Sequence, residues 1–255
     1  DDLMAPDKLT HQVAALGQLQ GKRTLLSGTW GKFFYRPAKA RFVPSPLWSD
    51  LSPVDFLIHK LRENCFMQTA AWLVSRELTE AAGPWNTQLL GDDDGEYFCR
   101  VIRAADAIRF VPEARVYFRQ PAGTRLSYIG RSDRQVQALF LSMQMHIGYL
   151  RAMEDSERVR SACLNYMQIR LIHFYPNRLD LVDELQKTAA TLGGHLQSPR
   201  LSWKYIWIQK LFGWEMTKRA LYLPQVKLGM RRTWDRTLYW LESMRNRLIP
   251  HTQGL

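Results

Sequence analysis

Hydrophobic residues near the start of the chain recur first at helical spacing and then in loose alternation. This change predicts a helix followed by strands. After Pro6, the side chains of Leu9, Val13 and Leu16 recur at helical spacing, so we expect a helix that carries them on one face. The stretch 23–35 alternates loosely and is rich in β-forming residues. It predicts one or two strands, interrupted at its two glycines.

Residues 53–119 continue this alternation between helical and extended patterns. The turn-forming pair Gly83 and Pro84 precedes an acidic stretch that leads into another helix. A loop is expected at 120–130, which contains two glycines and a proline. The predicted elements are a short helix over 53–61, an apolar strand or extended segment over 66–74, a capped short helix from Ser75, a helix over 96–105, and two short strands over 108–112 and 114–119.

The second half of the chain is dominated by helical periodicity. Apolar residues recur at helical spacing over 139–150 and 164–174, and a third helix is expected over 179–192. No internal repeat is evident. We therefore predict an α/β part over residues 1–130, followed by an α-helical C-terminal region over 131–255.

Composition indicates an ordinary globular protein with a basic balance. The 255 residues provide enough length for a buried core, and the net charge of +11 favours an anionic partner or surface. Three cysteines without CxxC spacing predict free thiols in a reducing compartment. The sequence lacks the motifs of zinc proteases, nucleophile-elbow hydrolases, P-loop proteins and nucleic-acid-binding domains, so none of these classes is supported.

The C-terminal tail concentrates both charge and tryptophan. From residue 200 onward there are eleven Lys and Arg against three acidic residues, and five of the nine tryptophans. Met230, Trp234, Leu238 and Leu241 share one helical face, and the basic residues lie largely off it. Such helices dock on anionic membrane surfaces, which predicts peripheral contact with an anionic membrane. Helix packing with a solvated basic face explains the pattern equally well.

Four carboxylates occupy five consecutive positions from Asp92 to Glu96, after a turn and before an apolar-periodic run. Asp is a good N-cap, and acidic side chains suit the first turn of a helix. This explains part of the cluster as a helix start. Crowded like charges are nevertheless costly, and they raise the pKa of one of their members. A carboxylate in such a setting is a candidate general base.

Five segments follow one another in a recognisable order. They are DDLMAPDKL at 1–9, MQTAAWLV at 67–74, GPWN at 83–86, GDDDGEYF at 91–98, and FVPE with YFR at 110–119. Together they resemble family 2 glycosyltransferases with the GT-A fold. The first segment is similar to the end of that family's Asp-x-Asp metal motif, and the fourth is similar to its acceptor-side acidic motif.

The resemblance implies the C-terminal half of a GT-A (Rossmann-like) glycosyltransferase domain, with a nucleotide-binding half expected before Asp1. It implies transfer of a sugar from a nucleotide-sugar donor to a hydroxyl acceptor with inversion, in surface polysaccharide or glycolipid assembly. The acceptor would be a carbohydrate or lipid-linked, and the protein would be cytoplasmic or peripheral on the inner face of the membrane.

The resemblance also assigns roles to the acidic residues. Asp1 and Asp2 would help to bind a divalent metal, Mg²⁺ or Mn²⁺, which neutralises the departing diphosphate. Our hypothesis places the base at Asp93. Asp92 and Asp94 are neighbours that could carry the same role, because the cluster departs from the family's Glu-Asp pattern.

Further assignments concern the two substrates. The resemblance places Trp85 and Glu96 on the acceptor side, although a turn tryptophan is commonly a core residue. Arg119, Arg125 and Tyr128 lie where the family's loop approaches the donor diphosphate, and solvated surface arginines are the competing interpretation.

A different class of function stays open beside the enzyme. In that alternative the chain is a non-enzymatic membrane-surface or protein-interaction module, and the acidic cluster is only a capped helix start. His146 and His173 lie in apolar helical faces, so we expect both to be satisfied core histidines.

Overall fold

The computed structural model describes residues 2–17, 23–120, 132–199, 201–222 and 224–248. Short strands and helices alternate up to residue 119, and the later described residues are mainly helical. The strands are β1 (Leu3–Met4), β2 (Thr24–Phe33), β3 (Arg41–Phe42) and β4 (Ala107–Arg119). The helices are α1 (Lys8–Leu16), α2 (Pro53–Arg62), α3 (Arg76–Ala82), α4 (Asp93–Ala104), α5 (Asp133–Met153), α6 (Glu157–Arg170), α7 (Leu179–Thr191), α8 (Trp203–Tyr222) and α9 (Pro224–Leu248).

The described strands form one mixed sheet in the order β1-β4-β2-β3. The central strands β2 and β4 pair in parallel, from Thr24 opposite Ala107 to Phe33 opposite Arg119. β1 and β3 add antiparallel edges. The predicted α/β class with a helical C-terminal region is confirmed at this level.

The two central strands are longer than the sequence predicts. β2 is continuous through both of its glycines, because Gly28 lets the backbone approach the Ala114 carbonyl, where a β carbon would clash. β4 is also one strand rather than two. Its register with β2 jumps from Val111 to Arg115, so Pro112 lies in a bulge outside the ladder. The prediction of interruptions was therefore wrong at both places.

The segment predicted as an apolar strand contains a 3₁₀ turn, Thr69–Ala71, instead. The Gln68 side chain accepts a hydrogen bond from the backbone N–H of Ala70 and so caps this turn. Leu73 alone keeps strand-like pairing, through two backbone hydrogen bonds with Leu26 of 3.2 and 2.9 Å. A polar side chain that caps a turn has overridden the apolar pattern of the segment.

Helix α1 forms where expected but buries the opposite face. Leu9, Val13 and Leu16 are exposed, whereas Lys8 and Gln12 are buried. The reason is a set of hydrogen bonds to carbonyl groups, described below. Periodicity identifies the helix correctly, but it assumes that the apolar stripe faces inward.

The hydrophobic core joins the sheet to the helices that follow it. One cluster of buried residues runs from Leu25 of β2 through α2 and α4 to Leu196, after α7. It therefore draws on residues from both sides of the predicted division at residue 130. Among the described helices, none combines the length and the hydropathy of a membrane-spanning helix.

Candidate functional site

The acidic cluster lies at the N-terminus of α4, after a sharp turn. Gly91 (φ 125°) and Asp92 (φ 58°) both have positive φ, a conformation that is uncommon for a residue other than glycine. The cluster forms a helix start as expected, with Asp93, Asp94 and Glu96 in the first turn of α4, although Asp92 at the N-cap position makes no side-chain cap hydrogen bond. The turn directs its carboxylate toward α5 instead, where the Ser142 hydroxyl donates a hydrogen bond to it at 3.0 Å.

A buried histidine stands behind Asp92. The Nδ1 atom of His146 lies 3.9 Å from the Asp92 carboxylate and 2.9 Å from the Tyr166 hydroxyl. Burial lowers the pKa of His146 to about 4, so its ring is neutral near neutral pH. The predicted burial of His146 is confirmed, but the expectation of a fully satisfied histidine was wrong, because its Nε2 atom is buried without a hydrogen-bond partner among the described residues. Its contact with the acidic cluster was not foreseen.

Asp92 and Asp94 differ in acidity. Burial alone would raise the pKa of Asp92, but its interaction with His146, the positive charges of Lys60 and Arg170, and the Ser142 hydrogen bond hold it below its ordinary value. Burial and the charge of Asp92 raise the pKa of Asp94 above its ordinary value. Two carboxylates with separated acidities are the arrangement that acid–base chemistry uses.

Both of these carboxylates line the same small, partly open cleft. Asp94 accepts hydrogen bonds from the Gly95 backbone N–H at 2.8 Å and from the Thr69 hydroxyl at 3.2 Å. Lys60 adds one positive charge, and the other walls are largely aromatic and aliphatic. The remaining residues that line the cleft are Phe56, Phe66, Met67, Trp72, Phe98 and Ile102.

Asp93 occupies a different position from its neighbours. It is the first residue of α4, its side chain is exposed, and it is not among the described residues that line the cleft. The structure therefore brings Asp92 and Asp94 into the cleft and leaves Asp93 at the surface. The assignment of the base to Asp93 stays a prediction, with a geometry that favours Asp94.

Asp2 lies beside the same region, although it is far from the cluster in sequence. Its carboxylate accepts hydrogen bonds from the Gln68 side chain and from the Arg119 backbone N–H, the latter at 2.9 Å. Gln68 and Thr69 are consecutive residues, so one turn holds both Asp2 and Asp94. The structure thus brings together the two acidic sites that the sequence separates.

The predicted metal site is not assembled by the described residues. Among them no group of three or more His, Cys, Asp or Glu side chains is positioned to hold an ion. Asp1 lies outside the described residues, so its assignment to the metal is not tested. Asp2 offers one carboxylate, and each of its two oxygens already accepts a hydrogen bond from the protein.

Helix α1 supports the turn that connects the two acidic sites. Gln12 donates a hydrogen bond to the Ala71 carbonyl at 3.1 Å, and Lys8 donates to the Trp72 carbonyl at 3.4 Å and to Gln12 at 2.8 Å. Burial lowers the pKa of the Lys8 ammonium. These two polar side chains position the segment that holds Asp2 and Asp94.

The residues assigned to the donor diphosphate are only partly described. The Arg119 guanidinium donates to the Phe34 carbonyl at 3.3 Å and lies 4.7 Å from the centroid of the Phe33 ring. Its backbone contact with Asp2 places it at the same end of the sheet. Arg125 and Tyr128 lie outside the described residues.

Glu96 and Trp85 occupy different environments from those expected of acceptor ligands. Glu96 is fully buried, accepts two hydrogen bonds from Arg100 at 2.8 and 3.0 Å, and accepts one from the Tyr149 hydroxyl at 2.7 Å. The ion pair with Arg100 lies within α4, and the hydrogen bond from Tyr149 ties that helix to α5. Trp85 is 44% exposed and stacks on Tyr97 with a centroid distance of 4.3 Å, so one of its faces is covered by protein.

The site as a whole offers an acidic centre with one carboxylate of raised pKa, a neighbour kept ionised, and an aromatic wall. Sequence reasoning missed its supporting residues Thr69, Ser142 and His146, because each is distant from the cluster along the chain. The Gln in the segment MQTAAWLV was the one signal for the turn that holds them together. No family model, curated protein or solved structure matches the chain. The functional argument therefore depends on the geometry and chemistry of the site.

Proposed function

We propose that these residues form the acceptor side of an inverting, GT-A-type glycosyltransferase related to family 2, which uses a nucleotide-sugar donor and a hydroxyl acceptor. One observation carries the proposal. Asp2 on the donor side and Asp94 on the acceptor side are held by the consecutive residues Gln68 and Thr69. A single-displacement transfer requires both groups to act at one reacting carbon, which this adjacency supports.

The base in this proposal is Asp94. It accepts the proton of the acceptor hydroxyl as that oxygen forms a bond to the anomeric carbon. The bond from the anomeric carbon to the departing diphosphate oxygen breaks on the opposite side, and the nucleoside diphosphate leaves with the electron pair. One carboxylate therefore suffices, and the sugar is transferred with inversion. Its raised pKa brings Asp94 closer to the acidity that a base requires near neutral pH.

Asp92 has a positioning and electrostatic role here. Its ionised carboxylate raises the pKa of Asp94 and is itself fixed by Ser142 and by its proximity to His146. Asp2, and Asp1 as the resemblance implies, would hold a divalent metal, which would supply the charge that neutralises the diphosphate. Lys60 and the aromatic walls leave a pocket with apolar and polar surfaces, which suits a sugar ring.

The proposed base is tested by comparing Asp94→Asn with Asp93→Asn in the complete natural protein. Transfer from nucleotide sugars would be measured as release of nucleoside diphosphate with Mg²⁺ or Mn²⁺ present. Removal of a general base lowers the rate by about 10²- to 10⁴-fold, so we expect that loss for Asp94→Asn and at most a few-fold loss for Asp93→Asn. The reverse order would return the role to Asp93, and unchanged transfer in both variants would refute a base in this cluster.

A second candidate function is supported by the C-terminal helices. Trp203 and Trp207 on α8, with Trp234 and Trp240 on α9, are all exposed. Exposed tryptophans beside basic residues are typical of helices that lie on a membrane surface. In this alternative the chain is a non-enzymatic membrane-surface or protein-interaction module. Turnover of any nucleotide sugar that is lost with Asp94→Asn would refute it.

For the enzyme, the same helices favour a lipid-linked acceptor that is reached from the cytoplasmic leaflet. We propose this location on the basis of charge and exposed tryptophan, for an enzyme of surface polysaccharide or glycolipid assembly. Flotation of the protein with vesicles of phosphatidylcholine, with and without phosphatidylglycerol, tests the membrane contact. Binding that requires phosphatidylglycerol is expected, and equal recovery with and without it would contradict an anionic surface.

A further inference from the structure

A second concavity lies between the end of the sheet and helix α9. It is an open depression between β2, the short edge strand β3 and the middle of the helix. We call it the basic groove. Its described lining includes Lys32, Lys39, Arg41 and Arg231, with Trp234 on the helix side.

Two acidic side chains attach helix α9 to the segment that follows β2. Asp235 accepts hydrogen bonds from the Tyr35 backbone N–H at 3.0 Å and from the Arg36 side chain at 2.8 Å. Glu242 accepts a second bond from Arg36 at 2.8 Å. The ring of Tyr239 also lies beside that of Tyr35, with a centroid distance of 6.3 Å. The groove is therefore a defined space rather than a gap beside a loose helix.

The remaining cations that line the groove are not paired with carboxylates of the described residues. Asp235 is already paired with Arg36, and within the described ranges no salt bridge to a carboxylate is formed by Lys32, Lys39, Arg41 or Arg231. An unbalanced group of this kind repels itself unless an anion lies among its members.

Two of these cations are held directly opposite each other. Lys32 and Arg41 are partners across the antiparallel pair of β2 and β3, so their side chains project from the same face of the sheet. Like charges at directly opposite positions destabilise a strand pair. The Lys32 ammonium lies 5.2 Å from the centroid of the Trp30 ring, a contact that does not neutralise its charge. A bound anion would remove this repulsion.

Exposed apolar side chains border the groove. Trp234, which lines it, is 67% exposed, and Met230 one turn earlier on the same face of α9 is 70% exposed. On the opposite side Val43 is 59% exposed and also lines the groove. A ligand that fits this surface carries a phosphate next to hydrocarbon.

We propose that the basic groove binds the phosphate headgroup of an anionic membrane lipid, with Trp234 and Met230 contacting the acyl region beside it. The cations supply a multivalent phosphate site, and the apolar border supplies an interfacial contact. This defines a specific docking point for the C-terminal helices, in place of a diffuse attraction to a charged surface. It does not depend on whether the chain transfers a sugar.

The test compares vesicle binding by charge-matched variants of the full chain. The groove variant is Lys32→Gln with Arg41→Gln, and the control is Arg76→Gln with Lys187→Gln, which removes the same charge from exposed positions on α3 and α7. Vesicles contain phosphatidylcholine with or without phosphatidylglycerol. At about 1 kcal/mol per basic residue near the surface, the groove variant should bind anionic vesicles about 30-fold more weakly. The control should change by less than about threefold on the same basis.

Two further results would overturn the proposal. Equal weakening of both variants would show a diffuse surface, and unchanged binding of the groove variant would show that the groove is not used.

A competition with inorganic pyrophosphate separates lipid phosphate from free phosphate. If the groove takes the lipid, pyrophosphate reduces vesicle binding only weakly. If the groove variant loses affinity for pyrophosphate while its binding to vesicles is unchanged, the site takes a soluble phosphate ligand. Thermal melts of each variant would verify that both are folded.

Discussion

The carboxylate of Asp92 lies against the α carbon of Gly95, in the space that a β carbon would fill. A side chain at this position would collide with Oδ1 of Asp92 more closely than real β carbons allow. Because Asp92 is also held by Ser142, it has little freedom to move away. We therefore predict that Gly95→Ala destabilises the protein by about 1–3 kcal/mol, which is typical of overpacking, and that it weakens transfer. Chemical denaturation would measure the first effect.

A matched control is available on another helix. Gly148 lies in the middle of α5 at an exposed position, and a β carbon there would meet no atom within 4 Å. Gly148→Ala should raise the free energy of unfolding by about 0.5–1 kcal/mol, because alanine loses less backbone entropy in a helix. If Gly95→Ala behaved in the same way, the tight contact with Asp92 would be refuted.

His146 predicts a loss of stability under mild acid. Its pKa is lowered to about 4 in the folded protein by burial, whereas an unfolded histidine titrates near about 6.5. As the pH falls, the unfolded state therefore binds the proton first. The contribution of His146 to the free energy of unfolding is fully present above the unfolded pKa. It is lost progressively until the pH reaches the folded pKa. Between about pH 6.5 and 5 this amounts to about 2 kcal/mol.

The variant His146→Asn isolates this contribution. It removes the titrating ring, so the difference in stability between neutral and mildly acidic solution should become smaller than in the parent protein. Asp94 titrates in both proteins and cancels in the comparison. Urea denaturation at the two pH values would measure the difference, and identical pH dependence in the two proteins would show that His146 is not the buried neutral group described here.

Asp92 predicts a shift in the pH dependence of transfer. Burial and the charge of Asp92 both raise the pKa of Asp94. Asp92→Asn removes the second cause, so the pKa of Asp94 falls and the acidic limb of the kcat/KM profile moves to lower pH. Asp93→Asn, at an exposed position, should leave that limb where it is. If the acidic limb stayed at the same pH in Asp92→Asn, Asp94 would not be the group whose titration sets it.

Glu96 predicts a large effect on stability that is not catalytic in origin. Its side chain is 1% exposed and pairs with Arg100, so Glu96→Ala would leave a partly buried guanidinium without its carboxylate. We expect a loss of about 3 kcal/mol in the free energy of unfolding. Tyr149→Phe removes one hydrogen bond to the same carboxylate and should cost about 1 kcal/mol. A small loss for Glu96→Ala, together with lost transfer, would favour the acceptor-binding role instead.

We predict that Asp235 stabilises α9 against local unfolding. The ion pair with Arg36 is largely shielded, with 15% and 16% of the two side chains exposed. Asp235→Asn should release the middle of α9 from the sheet and speed hydrogen exchange in that helix while the sheet stays protected. Glu242→Gln alters a half-exposed partner of the same arginine and should have a much smaller effect.

The type of most elements could be predicted from local patterns, and their boundaries and faces less well. Helices α5 and α7 form where apolar periodicity predicts them, because most of their buried residues are hydrophobic. Helix α1 does not, since Lys8 and Gln12 are buried by hydrogen bonds to a distant turn. Glycine was interpreted as an interruption of β2, although Gly28 permits a close approach between strands.

The candidate site shows a similar limit. The excess of charge at Asp92–Glu96 marks the location, because crowded carboxylates are a local feature of the sequence. The choice among them is not local. It depends on Thr69, Ser142 and His146, which approach the cluster only through tertiary packing and carry no motif of their own.

The parallel pairing of β2 with β4 has a consequence for how the site comes into existence. The Thr29 hydroxyl donates a hydrogen bond to the Pro112 carbonyl across these strands, and the two residues are 83 positions apart. The chain between them includes the turn that holds Asp2 and Asp94. Such long-range pairing closes late in folding, since loop entropy must be overcome before the strands contribute. A partly folded chain would therefore contain helices but no assembled acidic centre. Activity should appear and disappear with the cooperative transition of the whole sheet.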